Sequence, residues 1–255
     1  MEIITSRQNA LCTHLRKLAA SAGYRRKSGE FLCDSPKLLE EALLWQGDIH
    51  TVVCTEHAAL PVIPSSVRLV QVPEDVMKSV SPAETPQGVL SVCGMPERSL
   101  PEKLDGRRYV VLDGVQDPGN VGTILRTADA AGFDGVLLSQ QCADVFSPKV
   151  LRATMGSIFR MAISVTDDLP GALEALKAQG CSVISSQLDG TPFYSREPVG
   201  DRFALVIGSE GNGVTDEVKA VATHRVKLPM RGGAESLNAA VAAGIMMYEL
   251  TRDLD

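Results

Sequence analysis

The chain has 255 residues, of which 44% are hydrophobic and 22% charged, and it carries a formal net charge of −6. This suits one large or two modest globular domains and argues against a protein that coats nucleic acid indiscriminately. No apolar run reaches about eighteen residues, and Met1–Arg7 lacks the apolar block of a signal peptide, so neither a membrane-spanning nor a secreted protein is expected. The six cysteines form no CxxC pair, which suggests no zinc cluster and no disulfide framework, but reduced thiols in a cytoplasmic protein.

In chain order, Asn9–Ser21 has the spacing of a helix with Leu11, Leu15 and Leu18 on one face. The basic stretch Gly23–Gly29 is expected as a loop, and Phe31–Cys33 as a short strand. Ser35 and Pro36 are suited to open a helix that runs to about Trp45. Thr51–Cys54 and Gly88–Val92 are strand-like; 67–72 alternates less cleanly, since neither face is purely apolar. Residues 1–37 hold seven basic and three acidic side chains. A local basic face is therefore allowed within an acidic chain, although a solvated helix surface would look the same.

Residues 96–106 are polar, with two prolines and a glycine, and read as a linker between a domain over 1–95 and a larger one over 107–255. In the second domain, strands are expected at 109–113, 135–138, 182–186, 203–207 and 224–228. Helices are expected at 120–131, 148–157, 168–179 and 236–250. Apolar strands alternating with helices predict an α/β fold with a mostly parallel, doubly covered sheet.

Three segments carry candidate chemistry. In the first, Leu112–Arg126, a strand runs through a glycine-rich turn into a helix, placing Asn120 at the helix mouth, where free N–H groups collect anions. Arg126 faces away from the buried positions Ile124, Leu125 and Ala128; an Asn cap and a surface Arg would look alike. The second segment, Leu205–Val214, surrounds a single carboxylate, Glu210, with Gly208, Gly211 and Gly213, as either a ligand loop or a plain flexible turn would. It is not a dinucleotide fingerprint. The third, Val226–Ile245, leads through Ser236, a candidate N-cap, and Asn238 into a helix with Leu237, Val241, Ile245 and Tyr248 on one stripe. Ala240, Ala243 and Gly244 would permit close approach of another backbone or tight internal packing. The four histidines share no spacing and suggest no carboxylate constellation, and Trp45 reads as a packing residue.

Together these segments resemble the motifs of the SpoU family of RNA ribose 2′-O-methyltransferases, the TrmH-like branch of the SPOUT superfamily. Ile4–Asn9, Tyr24–Lys27 and Pro36–Leu43 resemble the substrate-binding domain often fused to such enzymes, a domain similar to a small ribosomal RNA-binding fold. The resemblance implies a deep trefoil knot in the C-terminal domain, a homodimer with its site completed near the subunit interface, and no need for a metal. It implies S-adenosylmethionine bound near Ile207, Gly208, Gly211, Leu228, Met230 and Leu237, largely by backbone groups. It assigns functional roles to Asn120, Arg126, Glu210, Ser236 and Asn238. RNA contacts are expected from Arg7, Arg25, Arg26, Lys27 and Arg152. The chain departs from the family pattern at Phe31–Pro36, where a Glu-Gly pair usually precedes the proline, and at Ala240, where serine is common.

The implied reaction is in-line methyl transfer to a ribose 2′-hydroxyl, for which positioning alone can supply about 7 kcal/mol. Arginine, with a pKa above about 12, is a poor base near neutrality. Arg126 is therefore expected to grip a phosphate or stabilise the developing alkoxide, and Glu210 to accept the proton or hold Arg126 and Asn120. The extra N-terminal domain resembles the arrangement more usual in ribosomal RNA enzymes, which implies ribosomal RNA rather than transfer RNA. A noncatalytic RNA-binding protein is the rival class, and it would not need the Asn120, Arg126, Glu210, Ser236 and Asn238 set.

Overall fold

The computed structural model describes residues 1–99 and 106–253; most of the expected linker, residues 100–105, lies outside the described residues. The chain forms two compact units. One comprises residues 1–97 together with 144–160, and the other the remaining described residues.

The first unit opens with β1 (Glu2–Ile3), α1 (Ala10–Ala20), α2 (Ala22–Ser28), β2 (Glu30–Cys33) and α3 (Pro36–Leu44). It continues with β3 (Ile49–Cys54), β4 (Arg68–Gln71), α4 (Glu74–Val80) and β5 (Val89–Gly94). Its sheet runs β1-β4-β3-β5-β2, with the first three strands parallel and β5 antiparallel to both neighbours. The α1 stripe Leu11, Leu15 and Leu18 is buried against Leu32, Val53, Val70, Met77 and Leu90, each leucine contributing about 2 kcal/mol. The Asn9 side chain caps α1 by accepting the Leu11 N–H at 2.8 Å.

The basic stretch expected as a loop is instead α2. Ser21 Oγ accepts the Tyr24 N–H at 3.1 Å, and Gly29, at φ 69°, closes the helix by donating to the Arg25 carbonyl. Good caps at both ends outweigh the glycine and the polar composition. In β4, only Val70 among the alternating positions reaches the core fully, while Arg68 turns outward to Glu2, which explains the weak pattern. Short β1 and α4 had no separate signal.

Histidines without common spacing are nevertheless brought to one carboxylate. Glu30 receives His14 Nε2 on Oε2 at 3.0 Å and His50 Nδ1 on Oε1 at 2.7 Å. His50 Nε2 also meets Asp48 at 3.0 Å, and His14 Nδ1 meets the Tyr24 hydroxyl at 3.0 Å. The expectation of no carboxylate constellation is thus corrected: strand pairing and helix docking assemble it from distant positions.

The second half contains β6 (Arg108–Asp113), α5 (Pro118–Ala130), β7 (Gly135–Ser139), α6 (Pro148–Thr154), β8 (Ala162–Thr166) and α7 (Leu169–Ala178). Then come β9 (Ser182–Pro192), β10 (Phe203–Gly208), α8 (Asp216–Val221), β11 (His224–Lys227) and α9 (Ala239–Thr251). The sheet order is β11-β9-β10-β6-β7-β8, and every neighbouring pair is parallel. Central β6 and β10 are almost wholly buried, as a doubly covered parallel sheet requires. Strand β8 and helix α8 were not anticipated, and β9 runs six residues beyond its expected end to pair with β11.

Residues 144–160, carrying α6, pack with the N-terminal residues. Phe31 meets Phe146 with ring centroids 4.6 Å apart. Arg25 donates to Asp144 at 2.7 Å and to the Leu18 carbonyl. Arg152 pairs with Asp34, and Arg160 with Glu41, which also accepts from Lys37 at 2.7 Å. Burial raises the pKa of Asp34 despite the opposing pull of Arg152, whereas the hydrogen bond from Lys37 is the main cause that lowers that of Glu41.

The hydrogen bond to Glu30 raises the His50 pKa, with Asp48 acting in the same direction against desolvation. Protonated His50 therefore stabilises the fold fully below the unfolded histidine value of about 6.5. That contribution is lost as pH rises through the raised folded value. In thermal melts across this range, His50→Gln should remove that component of the pH dependence; an unchanged profile would exclude it.

Candidate active site

The first loop forms where β6 ends at buried Asp113, whose Oδ2 accepts the Thr215 N–H at 2.7 Å. Asp117 caps α5 by accepting the Asn120 backbone N–H at 2.8 Å, and Pro118 occupies the first helical turn. With Asp117 as the cap, the Asn120 side chain is free for other work. It is buried at 9% exposure and donates from Nδ2 to Glu210 Oε1 at 2.7 Å. Arg126 is exposed and has no polar partner among the described residues. Six residues beyond Asn120, it lies about 9 Å further along the helix and roughly 240° around it.

The second loop, after β10, is a tight return. Ser209 and Gly213 exchange backbone hydrogen bonds at 3.0 and 2.9 Å, Asn212 N–H reaches Ser209 Oγ at 3.1 Å, and Gly213 takes φ 70°. A Cβ on Gly208 would collide with the backbone of Gly213 and Val214, so this glycine permits the close approach that sets Glu210 in place.

The third loop ends at α9, whose N-cap is Asn238. Ser236, the expected cap, stands exposed two residues earlier. Asn238 Oδ1 accepts the Ala240 and Val241 N–H groups at 2.9 and 3.2 Å, leaving its Nδ2 to donate to Asn120 Oδ1 at 2.9 Å. Asn120 must then turn its own Nδ2 toward Glu210. Both amide orientations follow from the cap. The structure thus joins Asn120, Glu210 and Asn238 in one relay, which Arg126 and Ser236 do not enter.

Beside α9 a cleft of about 300 Å³ is lined by Leu228, Met230, Leu237, Ile245 and Tyr194, with Pro229, Arg231, Gly232 and Ala234. Three of the expected cofactor residues, Leu228, Met230 and Leu237, line it. The Ile207 side chain is buried in the sheet, and Gly208 and Gly211 belong to the neighbouring return. A Cβ placed on Gly211, Gly232 or Gly233 would meet nothing within 4 Å, so the space beside the backbone there is open, and Gly232 lines the cleft. Apolar walls, open backbone and a volume at the lower end of small-molecule sites fit S-adenosylmethionine. Tyr194 carried no motif signal and reaches the cleft only through the extended β9 and the turn after it.

The expected RNA contacts lie in the first unit. Arg26 and Lys27 are exposed on α2, and exposed Arg7 is paired with Asp75 at 2.7 Å. Arg25 is only 3% exposed and its donors are engaged by Asp144 and Leu18, which corrects its assignment as an RNA contact. Arg152 is half-exposed but bound to Asp34. Among the described residues, no group of three or more His, Cys, Asp or Glu side chains could hold a metal ion.

Residues 107–248 match the SpoU rRNA Methylase family, and residues 9–91 match an MRM3-like substrate binding domain. The 23S rRNA (guanosine(2553)-2′-O)-methyltransferase of Bacillus subtilis is 37% identical over 251 residues, covering 98% of this chain and 99% of that one. The AdoMet-bound rRNA methyltransferase structure from Sinorhizobium meliloti is similar with a TM-score of 0.86 and 30% identity, over 100% of this chain and 98% of that chain. A structure concerned with 2-OH methylation of C/U34 on tRNA is 32% identical, with a TM-score of 0.53, but covers 58% of this chain and 95% of its own.

Replacing Gly208 by Ala should force the return open and release Glu210 from Asn120. The expected result is a loss of about 1–3 kcal/mol in stability and at least a tenfold lower turnover. Thermal melts and single-turnover rates check both, and an Ala variant with wild-type values would exclude the packing argument.

Proposed function

The chain belongs to the SpoU rRNA methylase family and is on that premise an S-adenosylmethionine-dependent RNA 2′-O-ribose methyltransferase; we propose that its substrate is ribosomal RNA. The observation that carries the choice of substrate is coverage. A full-length likeness is to a 23S rRNA enzyme, whereas a tRNA relative covers 58% of this chain. A tRNA substrate is the second reading, favoured by partial matches to tRNA enzymes.

S-adenosylmethionine, when bound, supplies an electrophilic methyl group on a sulfonium. Leu228, Met230 and Leu237, with open backbone at Gly211, Gly232 and Gly233, would hold it. Glu210 Oε1 is fixed by Asn120, and its Oε2 is the acceptor we assign to the ribose 2′-hydroxyl proton. Arg126 grips the neighbouring phosphate and stabilises the developing alkoxide, since its protonated guanidinium offers donors rather than a lone pair. Ser236 sits on the cofactor loop and shapes its polar rim. The trefoil threading expected of the family belongs to this reading. β10 lies between β9 and β6, and α9 returns to pack on α5 after β11.

The working molecule is a homodimer in this reading. Val241, Ile245 and Tyr248 are 51%, 38% and 54% exposed along one face of α9, continuing from Leu237. Such an apolar stripe is suited to a second copy. The displacement of Arg126 from Asn120 around α5 fits a guanidinium that serves the partner's site. The location is cytoplasmic, in keeping with six free thiols.

Methyl transfer from labelled cofactor should mark unmodified ribosomal RNA, with the label at an alkali-resistant linkage. Label confined to transfer RNA would overturn the substrate assignment. Arg126→Ala and Glu210→Ala should each fall at least a hundredfold in rate while binding cofactor normally. Mixing the two after subunit exchange should restore part of the activity, and no recovery would exclude a site shared between subunits.

A further inference from the structure

Trp45, the single tryptophan of the chain, does not pack inward. It is 50% exposed at the C-terminal end of α3, next to Leu44 at 70%. The sequence expectation of a packing residue fails because the α3 stripe that faces the core is Leu38, Leu39 and Ala42. The Arg160 guanidinium lies 5.7 Å from the centre of the indole, in cation–π range. Arg160 and Lys37 both bind Glu41, which holds the guanidinium beside the ring.

The backbone around this ring is unusual. Among the described residues, Gln46 and Met155, at φ 54° and 50°, are the non-glycine residues in the left-handed region. Gln46 directly follows Trp45, and Met155, itself 43% exposed, precedes Gly156, which sits at φ 98° against the Glu41 side chain. Gly47 in turn lies against the Phe159 ring. Two strained turns are therefore packed together where one presents Trp45 and the other leads to Arg160. Strain of this kind costs about 1–3 kcal/mol per residue and tends to be kept where a side chain must be held in a set position.

We propose that Trp45 and Arg160 form a stacking platform for an unpaired base of the substrate RNA. The proposal rests on the reading above that the chain acts on RNA. An aromatic face accepts any base, and a guanidinium beside it adds cation–π attraction. Glu40 and Asp48, both exposed, bound the platform with negative charge and disfavour a backbone path across them. None of the motif positions in the second unit is involved.

The single tryptophan allows a direct test on the intact enzyme. Protein-free ribosomal RNA should quench its fluorescence strongly at saturation, at RNA concentrations that match binding measured by filter retention. Trp45→Ala should weaken RNA binding about tenfold with S-adenosylmethionine binding unchanged, and Trp45→Phe should retain most of the affinity. Unchanged tryptophan emission in wild-type protein that binds and methylates this RNA would overturn the platform while leaving the reaction intact. A shift to a smaller oligomer in Trp45→Ala, without loss of RNA affinity, would also overturn it and assign the patch to subunit contact. Failure of the wild type to bind or methylate ribosomal RNA or transfer RNA would overturn both readings.

Discussion

The amide of Asn238 has one available orientation, because its oxygen is taken by the first N–H groups of α9. From that restriction the site is built in sequence: Asn238 donates to Asn120, and Asn120 donates to Glu210. Three loops that leave neighbouring regions of one parallel sheet are thereby tied into a directional chain. An N-cap contributes about 1 kcal/mol to its helix, and here the same group also aims a carboxylate. Fraying at the start of α9 would therefore release Asn120 and, through it, the Glu210 carboxylate.

The first unit relies on a different device. Asp34, Glu41 and Asp144 meet Arg152, Arg160 and Arg25 over long sequence separations, around the Phe31–Phe146 contact. Burial opposes the charge on Asp34, whose second oxygen has no hydrogen-bond partner. Such pairs contribute little net stability compared with apolar replacements, but losing one partner alone is costly. They act mainly as a register, specifying where residues 144–160 must sit.

Much of this was legible in the sequence, for identifiable reasons. Leu11, Leu15 and Leu18 have helical spacing, Ser35-Pro36 is a strong helix start, and the β6 and β10 strands are continuous apolar runs. Asn120, Glu210 and Asn238 stood out because polar groups at strand ends among glycines are uncommon. Their mutual hydrogen bonds were not legible, since they join positions 90 and 118 residues apart. The cap was misplaced by two residues because Ser236 and Asn238 are both good cap formers, and only the course of the loop selects between them. Arg25 looked like a surface cation since its partner, Asp144, is 119 residues away. Trp45 was misjudged because helix periodicity gives the core face but not how far the helix end extends beyond its support.

The path of the chain has a consequence for how such a protein can diversify. Residues 144–160 are encoded between β7 and β8 yet fold with the N-terminal residues, so the backbone passes between the units three times. A recombination event near residue 97 would transplant Arg25 and Asp34 without Asp144 and Arg152, the residues that neutralise them, and would leave Glu41 with Lys37 alone. The N-terminal module is thus not a cassette that can be exchanged at a single joint. An exchange of that module would have to carry residues 144–160 with it.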